Sequence, residues 1–376
     1  MKPVKTAVIG CGAISDIYLS NMIGKYSTLE VAACCASHRE NAEKKAAQYG
    51  IRAASTEEIP LDPAIELIVV LTPAPSHYEL VKRALLAGKH VYTEKPIATE
   101  HLKAQELLAL SKEKGLLLGA APETFMGSAV QTARKALDEG LIGELTSFHV
   151  VANRDLTVLA SLFKFLRQSG GGICYDYGVY YLTALVSLLG PVESVFAKVG
   201  NHCRVRRNGI PDSPEFGQEY IYDNEAQVNA VLTTKSGVTG TFSLNGDSAA
   251  VDQGYFSLHG TKGILRLGDA NQFGGEIAFM PDDFFHAAWQ PLEPVSELSD
   301  NCRGVGVADM ARCIRQGGTP QVSAEMPCHV LDIVEKIMES GKNGRIYTTE
   351  TVCDRPVFFA DWNTLRAGVH PLSGLQ

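Results

Sequence analysis

Ten residues into the chain an apolar run breaks on glycine. Val8-Ile9-Gly10-Cys11-Gly12-Ala13-Ile14-Ser15 passes from a strand-like stretch through a tight turn into a helix-like pattern. A strand, a glycine turn and a helix in that order commit the chain to a βα unit, and repeated units of that kind build a parallel sheet covered by helices. The alternation continues to about residue 120, with strand-like runs at 6–9, 31–35, 67–71, 90–93 and 116–118. Leu67-Ile68-Val69-Val70-Leu71 is apolar on both faces, as a strand buried between helices must be. Leu80, Val81, Ala84 and Leu85 form one helical stripe that Gly88 stops, and a further helix is expected at about 99 to 114. The expected fold is a doubly wound, Rossmann-type parallel sheet.

The pattern changes after Pro122. Residues 144–153 alternate, and 224–268 read as hairpins. In the first, Ala226, Val228, Ala230 and Leu232 alternate with polar positions, turn at Lys235-Ser236-Gly237 and return through Val238, Gly240, Phe242 and Leu244. A second turn falls at Gly260-Thr261-Lys262-Gly263, and Val330, Ile333, Val334 and Ile337 mark a late helix. A chain of 376 residues exceeds the usual reach of one core. Two domains follow: residues 1–121 with the parallel sheet, and 122–376, an α/β domain on a mostly antiparallel open sheet. Alternation on one face leaves the other face of that sheet free for a partner or substrate, and the free face suggests a homo-oligomer through it.

Composition excludes several classes of partner. No apolar run approaches the roughly 18 residues of a membrane span, and Met1-Lys2-Pro3 leads into a strand rather than a signal peptide, so a cytoplasmic protein is expected. A formal charge of −8 argues against nucleic acid, and Arg204-Val205-Arg206-Arg207 reads as a solvated hairpin edge. Nine cysteines with no Cys-x-x-Cys pair point to reduced thiols and to no structural metal.

In the glycine turn, Gly10 permits the bend and Gly12 lets the backbone approach a pyrophosphate. Ala13 and Ile14 open the helix whose N-terminus stabilises that charge. Ser15 stands where a third glycine is common. After the second strand, an acidic residue would bind the ribose diol of NAD. That position is Ala36, followed by Ser37, His38 and Arg39, so NAD(H) and NADP(H) both remain open, with Ser37 and Arg39 as candidate ribose contacts. His38 and Arg39 read equally well as the exposed start of a helix. Thr72-Pro73-Ala74-Pro75-Ser76-His77 closes the strand at 67–71 and is expected under the nicotinamide half, with Thr72, Pro73 and His77 in contact; Ser76 and His77 read alternatively as a cap and a first-turn residue. Glu94-Lys95-Pro96 then sets a carboxylate and an ammonium at the carboxyl edge of the sheet, where such sheets bind ligands.

With these segments the chain resembles the glucose-fructose oxidoreductase and inositol dehydrogenase family (Gfo/Idh/MocA), which combines the glycine turn, Thr-Pro-x-x-x-His and Glu-Lys-Pro. Gly170-Gly171-Gly172-Ile173-Cys174-Tyr175-Asp176-Tyr177-Gly178-Val179-Tyr180 looks like that family's glycine stretch followed by Asp-x-Gly-x-His, with Tyr180 in place of the histidine. The resemblance implies an NAD(P)-dependent oxidoreductase acting on a ring hydroxyl or ketone of a sugar, glycoside or cyclitol. In that reading Lys95 binds or polarises the reacting oxygen, Tyr180 relays its proton, and Asp176 holds substrate and ammonium in register. Asp176 and Tyr180 stand four apart and would share a helix face. Glu123, Asn153 and Lys164 are candidate substrate contacts, beside Arg154 and Gln168. Two alternatives use the same segments: redox-assisted glycoside cleavage without net cofactor turnover, and a cofactor-binding regulator, against which Lys95, Asp176 and Tyr180 speak.

Overall fold

The computed structural model describes residues 1–249, 253–285, 287–359 and 362–366. Its first sheet holds β1 (Val4–Ile9), β2 (Leu29–Cys35), β3 (Arg52–Ala53), β4 (Leu67–Val70), β5 (His90–Thr93) and β6 (Leu118–Ala120), in the spatial order β3-β2-β1-β4-β5-β6. All five pairings are parallel. The connecting helices are α1 (Ser15–Gly24), α2 (Arg39–Tyr49), α3 (Glu58–Leu61), α4 (His77–Leu86) and α5 (His101–Glu113). Strand order reverses between β1 and β4, which opens a crevice at their carboxyl ends. Every residue of β4 is fully buried, as its unbroken apolar run requires.

The strand expected at Leu116-Leu117-Leu118 begins only at Leu118. The Leu116 N–H bonds the Ser111 carbonyl at the end of α5, and the Leu117 N–H bonds His90 Nδ1. β6 itself runs on to Ala120, with Leu118 beside Val91. The two-residue β3 was too short to leave a periodic signal.

The second sheet begins at β7 (Leu145–Asn153) and adds β8 (Val192–Gly200), then, past a separate hairpin of β9 (Val205–Arg207) and β10 (Glu219–Ile221), β11 (Gln227–Thr234), β12 (Thr239–Asn245), β13 (Gln253–Gly260), β14 (Gly263–Leu267), β15 (Ile277–Pro281), β16 (Gln290–Pro291) and β17 (Tyr347–Thr348). The nine strands lie in the order β16-β15-β14-β13-β7-β12-β11-β8-β17. Among the described residues of this sheet only the β7–β12 pair is parallel; the hairpins β11–β12 and β13–β14 turn where expected. α6 (Ser128–Asp138), α7 (Leu156–Leu162), α8 (Val179–Leu189), α9 (Val305–Gln316) and α10 (Glu325–Asn343) complete the chain. Val330, Ile333, Val334 and Ile337 of α10 join one core with Phe148, Val228, Leu232, Phe242 and Leu244 of the sheet.

The late segments return to the first sheet. The Ala120 N–H bonds the Val322 carbonyl at 3.0 Å, and Arg315 pairs with Glu66 at 2.7 Å. The late segments thus bind the first sheet at its last strand, through Ala120, and at the amino end of β4, through Glu66. Among the described residues no helix is long and apolar enough to cross a membrane, and no three His, Cys, Asp or Glu side chains gather as a metal site.

Candidate active site

The glycine turn presses on the end of β4. Gly10 has φ +112°, and a Cβ there would lie 2.7 Å from the Leu71 carbonyl carbon and oxygen, so neither conformation nor space admits another residue. At Gly12 a Cβ would meet nothing within 4 Å. That open side faces a cavity of about 420 Å³ lined by Gly12, Ala13, Ile14, Thr72, Pro73, Glu94, Lys95, Asp176 and Tyr180. A second cavity, also about 420 Å³, runs from Gly10 and Gly12 past Ala36, Ser37, Asn41, Thr56 and Ser76. Gly12, Leu71, Thr72 and Pro73 line both. One groove thus crosses the switch point with the glycine turn at its middle, which fits a dinucleotide whose pyrophosphate sits at Gly12. Ser15 turns its hydroxyl inward onto the Gly12 carbonyl at 2.6 Å, fastening the turn instead of facing the groove.

Two expected cofactor contacts stand back from the groove. Arg39 lies on the first turn of α2 and pairs with Glu43 at 2.9 Å on the surface. His77 is fully buried, with Nδ1 2.7 Å from the Pro96 carbonyl and Nε2 2.7 Å from the Thr72 carbonyl. It ties the loop after β4 to the loop after β5, so it positions Thr72 and Lys95 without touching the groove itself. Burial pushes its pKa down against the pull of the two carbonyls.

Lys95 follows directly on the buried Glu94, whose carboxylate accepts from the Tyr18 hydroxyl at 2.7 Å and the Lys95 N–H at 3.1 Å. The Lys95 ammonium sits 2.5 Å from Asp176 Oδ1 and 2.8 Å from the Asp176 carbonyl oxygen. Burial alone would lower its pKa; the Asp176 carboxylate and the other acidic neighbours outweigh that, and the net direction is up. Asp176 lies on a π-helical turn, Cys174–Gly178, that runs straight into α8. The preceding glycines make room for its anchors: a Cβ at Gly171 would strike the Leu166 backbone at 2.3 Å, and one at Gly172 the Glu225 carboxylate at 1.9 Å. That carboxylate accepts the Cys174 N–H at 2.9 Å.

Tyr180 stands one turn beyond Asp176. The ammonium lies 5.4 Å from its ring centre, over the face and not beside the hydroxyl. The group at the hydroxyl is Arg303, whose Nη2 is 3.5 Å from Tyr180 Oη and 2.9 Å from Asn271 Oδ1. Sequence reading missed Arg303, which reaches Tyr180 across 123 positions from an irregular segment with no motif of its own. Arg154, beside Asn153, lines the cavity, with its guanidinium 3.6 Å from the Tyr177 ring centre and 4.0 Å from Asp176 Oδ2.

Three expected substrate contacts lie elsewhere. Glu123 is buried, and its two oxygens accept the N–H groups of Gly304 and Gly306 at 2.5 and 2.6 Å, closing the N-terminus of α9. Asn153 is held within β7 between Asn245 and Gln253, and the cavity lining takes Arg154 instead. Lys164 opens a 3₁₀ turn, Lys164–Arg167, in which residues three apart share an edge. Lys164 and Arg167 accordingly both point to Glu215, at 2.6 and 3.4 Å, and away from the cavity. Gln168 is exposed and outside the lining.

Comparison with known proteins agrees with this geometry. Residues 4–121 match the oxidoreductase family with an NAD-binding Rossmann fold (GFO_IDH_MocA), and residues 130–266 match the GFO/IDH/MocA C-terminal domain. An uncharacterized oxidoreductase of Schizosaccharomyces pombe is 31% identical over 71% of this chain and 71% of its own length. The NADP(+)-dependent scyllo-inositol 2-dehydrogenase of Bacillus subtilis is 24% identical over 92% of this chain and 96% of its own. Levoglucosan dehydrogenase in complex with NADH has the same fold, with a TM-score of 0.81 at 18% identity over 93% of this chain and 100% of that one. With both halves matched and the glycine turn, Glu94-Lys95-Pro96 and Asp176 around one groove, the chain belongs to the Gfo/Idh/MocA family and is an NAD(P)-dependent oxidoreductase.

Proposed function

We propose that the enzyme moves a hydride to or from a ring carbon bearing a hydroxyl or ketone of a sugar, glycoside or cyclitol. Residues 1–121 hold the cofactor and 122–376 the substrate. The observation that carries this reading is the Lys95–Asp176 pair, closed at 2.5 Å and opening on the same cavity as Gly12. The named substrates of two relatives, scyllo-inositol and levoglucosan, support a cyclic polyol. A nicotinamide bound in the groove supplies the hydride acceptor or donor.

The chain's own residues do the rest. Lys95 donates to the reacting oxygen and stabilises the negative charge that develops there during oxidation. Asp176 fixes the ammonium by accepting a hydrogen bond from it at Oδ1 and offers its other carboxylate oxygen to a substrate hydroxyl. Tyr180 exchanges the proton of the reacting hydroxyl, with Arg303 and Asn271 orienting its Oη. Glu94, held by Tyr18, fixes the Lys95 backbone from behind. Either nicotinamide cofactor suits the ribose end: Ala36 offers no carboxylate to repel a 2′-phosphate, Ser37 lines the second cavity, and Arg39, paired with Glu43, follows two residues on. The protein acts in the cytoplasm, where its nine unpaired thiols stay reduced, and as a homo-oligomer.

The test is a panel of sugars, glycosides and inositols with each cofactor, on the parent enzyme and two variants. Lys95→Ala is expected to lose about 10² to 10⁴ in turnover while retaining nucleotide affinity. Tyr180→Phe is expected to lose rate while keeping its melting temperature within a few degrees. A Lys95→Ala enzyme within about threefold of the parent would remove the lysine's role. Aglycone released without reduced cofactor would mark redox-assisted cleavage instead.

A further inference from the structure

Beyond the glycine turn and the loop after β4, the cavity has linings of two kinds: a polar set of Lys95, Asp176, Tyr180 and Asn271, and an apolar wall of Leu159, Phe163, Phe165 and Leu166. The apolar wall follows from how its segment folds. Asp155 caps α7 by accepting the Val158 N–H at 3.0 Å, and the 3₁₀ turn after it sends its two cations outward to Glu215. Phe163, Phe165 and Leu166 are left facing the cavity. The backbone is tied down: Asn224 Nδ2 donates to the carbonyls of Leu166 and Gln168 at 2.9 and 2.7 Å, and Arg167 donates to the Ala160 carbonyl at 2.8 Å while stacking 3.8 Å from the Tyr220 ring centre.

Two phenylalanines on this fixed turn remain 42% and 46% exposed, with ring centres 6.1 Å apart. A free sugar or inositol would satisfy the polar wall and leave these rings in water, with their apolar area unused. We propose that the substrate carries an aryl substituent on the ring presented to Lys95, and that this group packs on Phe163 and Phe165. The inference rests on the ring-hydroxyl reading above, since Lys95 fixes which end of the substrate faces the polar wall. Aromatic side chains pack on aryl groups edge-to-face or offset, and the two rings, tilted 43° to one another, offer an aryl group both kinds of contact.

The test compares phenyl and methyl β-glycosides of glucose, galactose and xylose by calorimetry, on enzyme saturated with nicotinamide cofactor. Binding is the readout, so the result does not depend on turnover. The phenyl member of a pair is expected to bind about tenfold tighter in the parent. In Phe163→Ala and Phe165→Ala the ratio is expected to fall below about threefold. Neither change empties a sealed core, because both rings are partly exposed. Phenyl glycosides no tighter than their methyl partners, or a phenyl advantage retained in both variants, would overturn the proposal. A phenyl preference intact in an enzyme that reduces no cofactor with any polyol would sink the hydride-transfer reading and leave the wall standing.

Discussion

Glu123 and Glu225 are buried carboxyls that support the site from behind, one under the N-terminus of α9 and the other under the turn that carries Asp176. Burial pushes each up to about 7, against the backbone N–H groups that favour the charged form. Between the ordinary value of 4.5 and about 7 the folded chain therefore holds protons that the unfolded chain has released, so these groups make stability fall as pH rises through that window. Glu123→Gln removes one of the two. Relative to the variant, the parent is expected to lose an amount on the order of 1–3 kcal/mol between pH 5 and 7.5, read from denaturant midpoints. A difference that stays flat with pH would show Glu123 ionised throughout. The same residue shows where sequence reading stops. Lys95, Asp176 and Tyr180 were legible because each sits in a motif that fixes its surroundings; Glu123, Asn153 and Lys164 were chosen for being polar near a sheet end, and nearness along the chain does not say which way a side chain points. Arg303 was invisible for the opposite reason, its only qualification being spatial.

The glycine turn is an element whose two glycines do different work. Gly10 is required by the fold, with φ +112° and the Leu71 carbonyl where a Cβ would go; at Gly12 the fold makes no such demand, since a Cβ there would meet nothing within 4 Å. Gly10→Ala is expected to lower the melting temperature by several degrees, through backbone strain of about 1–3 kcal/mol. Gly12→Val should melt close to the parent and lose nucleotide affinity, by tenfold or more in calorimetry. Unchanged nucleotide binding in a folded Gly12→Val protein would take the pyrophosphate away from this turn. At the end of β2, Ala36→Asp is expected to raise the NAD to NADP ratio of catalytic efficiencies, because a carboxylate repels the 2′-phosphate and accepts from the ribose diol. A ratio that does not rise would place the ribose beyond reach of residue 36.

At the scale of the whole molecule, periodicity made both sheets readable: unbroken apolar runs belong to strands covered on two sides, and alternating ones to a sheet with one open face. What periodicity could not show is the parallel β7–β12 pair at the centre of the second sheet, which joins distant strands, or the return of α9 and α10 to the first sheet. α6 and α10 pack against one face of the second sheet, and its other face carries exposed apolar side chains. On that face Phe196 and Val231 lie side by side across β8 and β11, at 41% and 43% exposure, and Tyr255 on β13 is 40% exposed. Apolar side chains on adjacent strands, amid the threonines and serines of β11 and β12, suit a second copy of the same sheet, since a two-fold interface sets one patch against itself. Parent enzyme is therefore expected to sediment at a multiple of the 40.5 kDa chain mass. Val231→Glu puts a charge at the centre of the patch without touching the core, so it should shift the protein toward monomer while changing the unfolding midpoint of that monomer little. Parent protein sedimenting at 40.5 kDa, or a Val231→Glu variant with undiminished mass, would show that the copies, if they meet, meet elsewhere.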